Sequence, residues 1–117
     1  MSDTTKAEVV NNNDSNNNNE EQKKKTAMEI DAEKFKEQGN EYVQKAHDFR
    51  RAVAAYTAAI TLVKSNYIYY NNRAAAYILL EDYENAIKDC DTSLSLKPNV
   101  RAHSRKAAGL SQLGRAG

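Results

Sequence analysis

The chain repeats itself at a distance of about 34 residues, and that self-similarity confines it to a few architectures. Ala52-Val53 aligns with Ala86-Ile87 at a separation of 34; Tyr56 then falls on Cys90, Ala59 on Ser93 and Ile60 on Leu94. Upstream, Gly39 meets Ala74 and Tyr42 meets Tyr77 at 35. Downstream, Ala74 meets Ala107 and Tyr77 meets Leu110 at 33. One residue is therefore inserted in the first turn, around Lys45 to Asp48, and one is missing near Pro98 to Val100. Length changes confined to turns are what stacked units tolerate, because each unit touches only its neighbours.

Within each period the pattern is helical. Phe35, Gly39, Tyr42 and Ala46 recur at three-to-four spacing, as one buried helix stripe requires. Asp31 reads as the N-cap of this first helix, with Lys34 where a capping box would place Glu. Phe49, Ala52, Val53, Tyr56, Ile60 and Val63 give a second stripe, ended by Ser65-Asn66. A third helix is predicted from Tyr67 to Leu80, with Glu81-Asp82 as its turn. The fourth runs from Tyr83 to Leu96 and stops before Pro98, since proline disfavours helical geometry in the residue before it. The fifth is predicted from Val100 to Leu113, with Gly114 opening a turn. With only 4 Gly and 1 Pro in 117 residues, few breakers oppose this all-α reading.

The first 30 residues read differently. Asn fills seven of the nine positions from Asn11 to Asn19, and no apolar periodicity accompanies it. Such a segment buries too little surface to offset its ordering entropy, so residues 1–30 are expected to form a disordered tail. Charge narrows the function classes. With 17 Lys+Arg against 16 Asp+Glu, the net charge of +1 argues against binding nucleic acid by neutralising phosphates. It gives no polybasic case for a membrane surface either. The polar N-terminus shows no signal peptide, and the single cysteine, Cys90, has no internal disulfide partner. A protein of the cytoplasm, with the nucleus as a second compartment, is the expected setting.

The period and its residues resemble the tetratricopeptide repeat. The resemblance rests on small residues at Gly39, Ala74 and Ala107, aromatics at Tyr42 and Tyr77, Ala52 and Ala86, and Pro98 closing the second repeat. It implies a right-handed superhelical stack of antiparallel helix pairs over residues 31–117. Repeat 1 would span 32–66, repeat 2 67–99, and an incomplete repeat 3 100–117, about two and a half repeats in all. Lys64 stands where the first repeat would close with proline, and Cys90 and Ser93 replace an aromatic and an alanine. Cys90 is read as a small core residue. The third repeat has no second helix in sight, so the chain is expected to be a fragment of a longer protein.

In such a stack the first helix of every pair lines one wall. Lys36 and Asn40 are i and i+4 on the first of these helices, Arg101 and Arg105 are i and i+4 on the third, and Asn72 lies on the one between. Lys and Arg are donor-only cations, and Asn offers amide N–H donors. A groove of such donors complements clustered carboxylates, for instance an acidic peptide with its own α-carboxylate. The segments Lys36-Glu37-Gln38-Gly39-Asn40, Asn71-Asn72-Arg73-Ala74-Ala75-Ala76-Tyr77 and Arg101-Ala102-His103-Ser104-Arg105-Lys106-Ala107 resemble the carboxylate-clamp subclass of the family. That resemblance implies a co-chaperone or adaptor. Its peptide-binding residues would be Lys36, Asn40, Asn72, Arg101 and Arg105. Its partners would be the Glu-Glu-Val-Asp tails of cytosolic heat-shock chaperones of the seventy- or ninety-kilodalton class. Arg101 stands where the subclass usually has Lys, and the two cations differ in shape and hydration.

Two other readings compete. Related clamps precede catalytic modules, so this could be the targeting arm of a serine/threonine phosphatase or a ubiquitin ligase. An uncovered fifth helix could instead drive self-association. Enzyme chemistry within the chain itself finds no support. His47, placed in a turn, and His103, placed in packing or at the groove wall, have no metal-ligand spacing with Cys90, and no Gly-rich phosphate loop occurs. No catalytic residue, metal or cofactor is expected. Arg73 is assigned to packing or a local ion pair, and Glu84, Asp89 and Asp91 to an exposed helix face.

Overall fold

A computed structural model describes residues 25–116. Among them are five α-helices and no strand: α1 Ala27–Glu41, α2 Phe49–Leu62, α3 Tyr67–Leu79, α4 Tyr83–Leu96 and α5 Val100–Ala116. Helix α1 packs on α2 and α3 on α4 as two antiparallel pairs; α2 packs on α3, and α5 continues the stack against α4 and α3. The all-α stack of helix pairs that the resemblance implies is the one observed.

The first helix starts earlier than expected. Thr26 Oγ1 accepts from the Glu29 amide at 3.1 Å, and Glu29 Oε1 accepts from the Thr26 amide at 2.9 Å. This reciprocal capping box satisfies two otherwise unpaired backbone donors, so the helix nucleates there and Asp31 lies inside it. The expected tail, residues 1–30, lies outside the described residues as far as residue 24. Its last four residues, Ala27 to Ile30, belong to α1.

The inserted residue of the first repeat has a structural home. Helix α1 passes into a π-helical turn, Tyr42–Ala46, which holds one residue more than an α-helical turn. The turns that follow are then equivalent. The Asp48 amide donates to the Tyr42 carbonyl at 2.8 Å, and the Asp82 amide to the Tyr77 carbonyl at 2.8 Å, six and five residues back respectively. His47 and Glu81 occupy matching left-handed positions, at φ of 52° and 62°. Asp48 and Asp82 then cap α2 and α4 through their carboxylates.

The core is rich in small residues. Ala32, Ala59, Ile60 and Tyr69 join the first pair to α3, while Ala52, Tyr56 and Ala76 form a second cluster. Ala74, Ala86, Cys90 and Ala102 bind the second pair to α5. Buried alanines let helix axes approach closely, and the tyrosines fill the adjoining gaps. Cys90 is fully buried, and burial pushes its thiol up to about 11, the behaviour of a packing residue.

Two further expectations are corrected. Helix α5 runs through Gly114, which has no positive φ, so no turn opens there. Asp89 is buried, at 5% exposure, rather than on an open face, because both its oxygens are taken by Arg73. Ala107 and Leu110, the counterparts of core Ala74 and Tyr77, are exposed: among the described residues nothing packs over that side of α5.

Candidate functional site

Helices α1, α3 and α5 line one cavity of about 370 Å³, and all five residues singled out in the sequence are among its walls. Lys36 and Asn40 come from α1, Asn72 from α3, and Arg101 and Arg105 from α5. The i, i+4 spacing puts each pair on one helix face. Val43, Gln44, Ile68, Ala75 and Tyr56 complete the lining. Three cations and two amides thus share the walls of one cavity.

Each side chain is held differently. Asn40 lends its amide oxygen to the Tyr56 hydroxyl at 2.5 Å. With the oxygen engaged, the Nδ2 donors remain for the groove. Lys36 Nζ lies 3.0 Å from Glu33 Oε1, and the other oxygen of Glu33 accepts from the Tyr69 hydroxyl at 2.6 Å. Arg105 is half-buried and donates from Nη1 to the Asn71 carbonyl at 3.0 Å. Desolvation, and secondarily the like charge of Arg101, lowers its pKa. Arg101 is exposed. Among the described residues neither arginine has an ion-pair partner, so the groove keeps uncompensated positive charge.

A buried polar network aligns α5 with α3. Ser93 Oγ donates to Asn71 Oδ1 at 2.7 Å, Asn71 Nδ2 donates to Asn99 Oδ1 at 2.9 Å, and Asn99 Nδ2 returns to Ser93 Oγ at 3.0 Å. Asn99 Oδ1 also accepts the Ala102 amide at 2.9 Å, starting α5. One triad therefore fixes both the backbone that holds Arg105 and the start of the helix that carries it. Ser93, legible in the sequence only as a departure from alanine, is the hinge pin of this network.

Other assignments sort themselves. Arg73 forms a bidentate pair with Asp89, both bonds at 2.7 Å, donates to Thr57 Oγ1 at 3.1 Å, and lies 5.8 Å from the ring centres of Tyr70 and Tyr77. Of the two roles expected for it, packing or a local ion pair, the ion pair is observed, with ring contacts beside it. His47 lies in the turn, as expected, edge-on to Phe49. His103 is exposed, neither packed nor among the residues lining the cavity. Sequence reasoning missed Tyr56 as the residue that orients Asn40, and Glu33 as the partner of Lys36; the i, i+3 spacing of the latter pair was the available signal.

The tetratricopeptide repeat pattern matches residues 67–100. The Arabidopsis OM64 TPR domain superposes with a TM-score of 0.73 and 34% identity over 76% of this chain and 74% of that one. The chain belongs to the tetratricopeptide repeat family. The second TPR of Spaghetti (RPAP3), bound to the HSP90 peptide SRMEEVD, is 31% identical with a TM-score of 0.70, covering 74% of this chain and 81% of that one. Human serine/threonine-protein phosphatase 5 is 40% identical over 85 residues, 72% of this chain and 17% of the phosphatase. The tetratricopeptide chain thus spans about a fifth or less of the length of such relatives. Among the described residues no helix is long and apolar enough to cross a membrane.

Proposed function

We propose that this chain is a chaperone adaptor module. It binds the acidic C-terminal end of a heat-shock chaperone, of the Glu-Glu-Val-Asp type, through Lys36, Asn40, Asn72, Arg101 and Arg105. The observation that carries the reading is the convergence of these five donors on one cavity, with two guanidinium groups lacking ion-pair partners among the described residues. A free α-carboxylate and acidic side chains supply the charge those groups lack, and bidentate pairing to arginine adds orientation. Two TPR domains of Spaghetti (RPAP3) bound to the peptide SRMEEVD, and the human RPAP3 domain bound to SGPTIEEVD, hold ligands of this chemistry. Calorimetric titration with a Glu-Glu-Val-Asp peptide tests it. Saturable binding that disappears on C-terminal amidation is expected; absence of binding, or indifference to amidation, would overturn it.

The similarity to serine/threonine-protein phosphatase 5 supports a second reading, in which the module works within a longer protein. There the same groove would act as the targeting arm of a catalytic domain, with the ligand chemistry unchanged.

A further inference from the structure

One of the groove's cations already carries a carboxylate supplied by the protein itself. Glu33 sits one turn before Lys36 on α1 and pairs with its ammonium at 3.0 Å. It is not a loosely waving surface acid. Its second oxygen is fixed at 2.6 Å by the hydroxyl of Tyr69, whose ring is 1% exposed in the core between the repeats. The Tyr69 hydrogen bond, with Lys36 adding to it, keeps the Glu33 carboxyl below the usual range although burial opposes this. Both side chains are largely covered, with 22% of Lys36 and 29% of Glu33 exposed, so solvent screens the pair less than an ordinary surface bridge.

We infer that Glu33 is a built-in competitor for Lys36: a ligand carboxylate reaches that ammonium by displacing the protein's own. This deepens the peptide-binding reading above and rests on it. Exchanging one carboxylate for another at Lys36 gains little, since a similar ion pair is lost as one is formed. Net affinity then comes from Arg101 and Arg105, which have no ion pair to give up among the described residues. A ligand with a single anionic group gains little at the Lys36 end, whereas one that spans the groove engages the arginines as well. Glu33 thereby holds down affinity for isolated anions and selects for extended, multiply charged ends. Tyr69, from the second repeat, is the tether that keeps the competitor in register.

The test is a double-mutant cycle on the full chain, read by titration of a Glu-Glu-Val-Asp peptide. Glu33→Gln keeps the shape and the Tyr69 contact but removes the charge. It is expected to bind roughly threefold to fivefold more tightly than wild type, the range set by an incompletely buried ion pair. In a Lys36→Met background the same substitution is expected to change nothing. Glu33→Ala, which a helix accepts readily, carries the same expectation and serves if the amide variant folds poorly. Wild-type binding with unchanged or weaker binding by Glu33→Gln would overturn the inference alone. So would a gain that persists without Lys36, because a long-range field rather than competition would then be acting. No binding by wild type overturns the functional reading and this inference together.

Discussion

The hydroxyl of Tyr56 on α2 donates to the amide oxygen of Asn40 on α1 at 2.5 Å, and this one bond decides which end of the Asn40 amide faces the groove. An amide has a donor end and an acceptor end of almost the same shape. Against an anionic ligand one attracts and the other repels. Tyr56→Phe preserves the ring that fills the core and removes only this restraint. The variant is expected to lose about threefold to tenfold in peptide affinity, the worth of one hydrogen bond, with its helical circular dichroism unchanged. Titration of the peptide against both proteins checks it.

Tyr56 also links stability to alkaline pH. Burial pushes its phenol from an ordinary 10.0 up to about 12, and Tyr69 is raised in the same direction by burial and by its bond to Glu33. The neutral form is the one the fold prefers. Its stabilising contribution is complete below pH 10 and is lost as pH rises, because the unfolded chain ionises first. Denaturation midpoints are expected to be flat up to about pH 10 and to fall between pH 10 and about 12. Tyr56→Phe should soften that fall. A midpoint independent of pH across this window would contradict the assigned burial.

Gly39 owes its place to the same tyrosine. A Cβ there would lie 2.5 Å from Tyr56 Cε1, 2.7 Å from Cδ1 and 2.8 Å from Cζ. Alanine is the better helix former by about 1 kcal/mol, which taken alone predicts stabilisation. The ring, however, is 2% exposed and tied through its hydroxyl, so it has no room to retreat. Overpacking of this kind costs about 1–3 kcal/mol, and the clash wins. Gly39→Ala is expected to lower the urea midpoint and to weaken peptide binding through the displaced Asn40.

The helices were legible from spacing, and the groove from spacing together with the resemblance to stacked repeats. Stripes at three and four residues place Lys36 beside Asn40 and Arg101 beside Arg105 without any knowledge of the tertiary fold. The one-residue excess before Asp48 was visible as well, but not the π turn that absorbs it. Several extra-residue geometries satisfy the same count, and hydrogen bonding to the Tyr42 carbonyl selects one. Asp89 misled, and the role of Ser93 stayed unread, for the opposite reason. Helical periodicity reports which face a residue occupies, not whether a partner from another repeat makes burial of a polar group favourable. Arg73 does so for Asp89, and Asn71 with Asn99 does so for Ser93.

The Arg73–Asp89 pair gives a stability prediction separate from binding. Asp89 is 5% exposed, and its two oxygens meet the guanidinium at 2.7 Å each. Removing the acid leaves a partly buried cation uncompensated, which costs more than the pair's net worth. Asp89→Asn is expected to lose about 2–4 kcal/mol in urea denaturation. Arg73→Lys keeps the charge but not the fork or the ring contacts, and is expected to lose about half as much. Neither residue lines the groove, so peptide affinity of the folded fraction should be retained; a selective loss of affinity at unchanged stability would refute the assignment.

Arg101 and Arg105 share a helix face but should not share a mutant phenotype. Arg105 is half-buried and already desolvated in the free protein, with its Nη1 anchored to the Asn71 carbonyl. A ligand carboxylate meets there a charge whose dehydration cost has been met during folding, so the contact is strong and slow to break. Arg101 is exposed at the rim, where water and salt weaken what it contributes. Rim charges act mainly on association, and desolvated ones on dissociation. Arg105→Ala is therefore expected to remove most of the affinity, about a hundredfold or more through a faster off-rate. Arg101→Ala should cost about threefold to fivefold, through a slower on-rate, and the deficit should shrink as salt is raised. Stopped-flow association at two ionic strengths separates the two. Equal losses with the same salt dependence would mean that the two guanidinium groups occupy equivalent environments in solution.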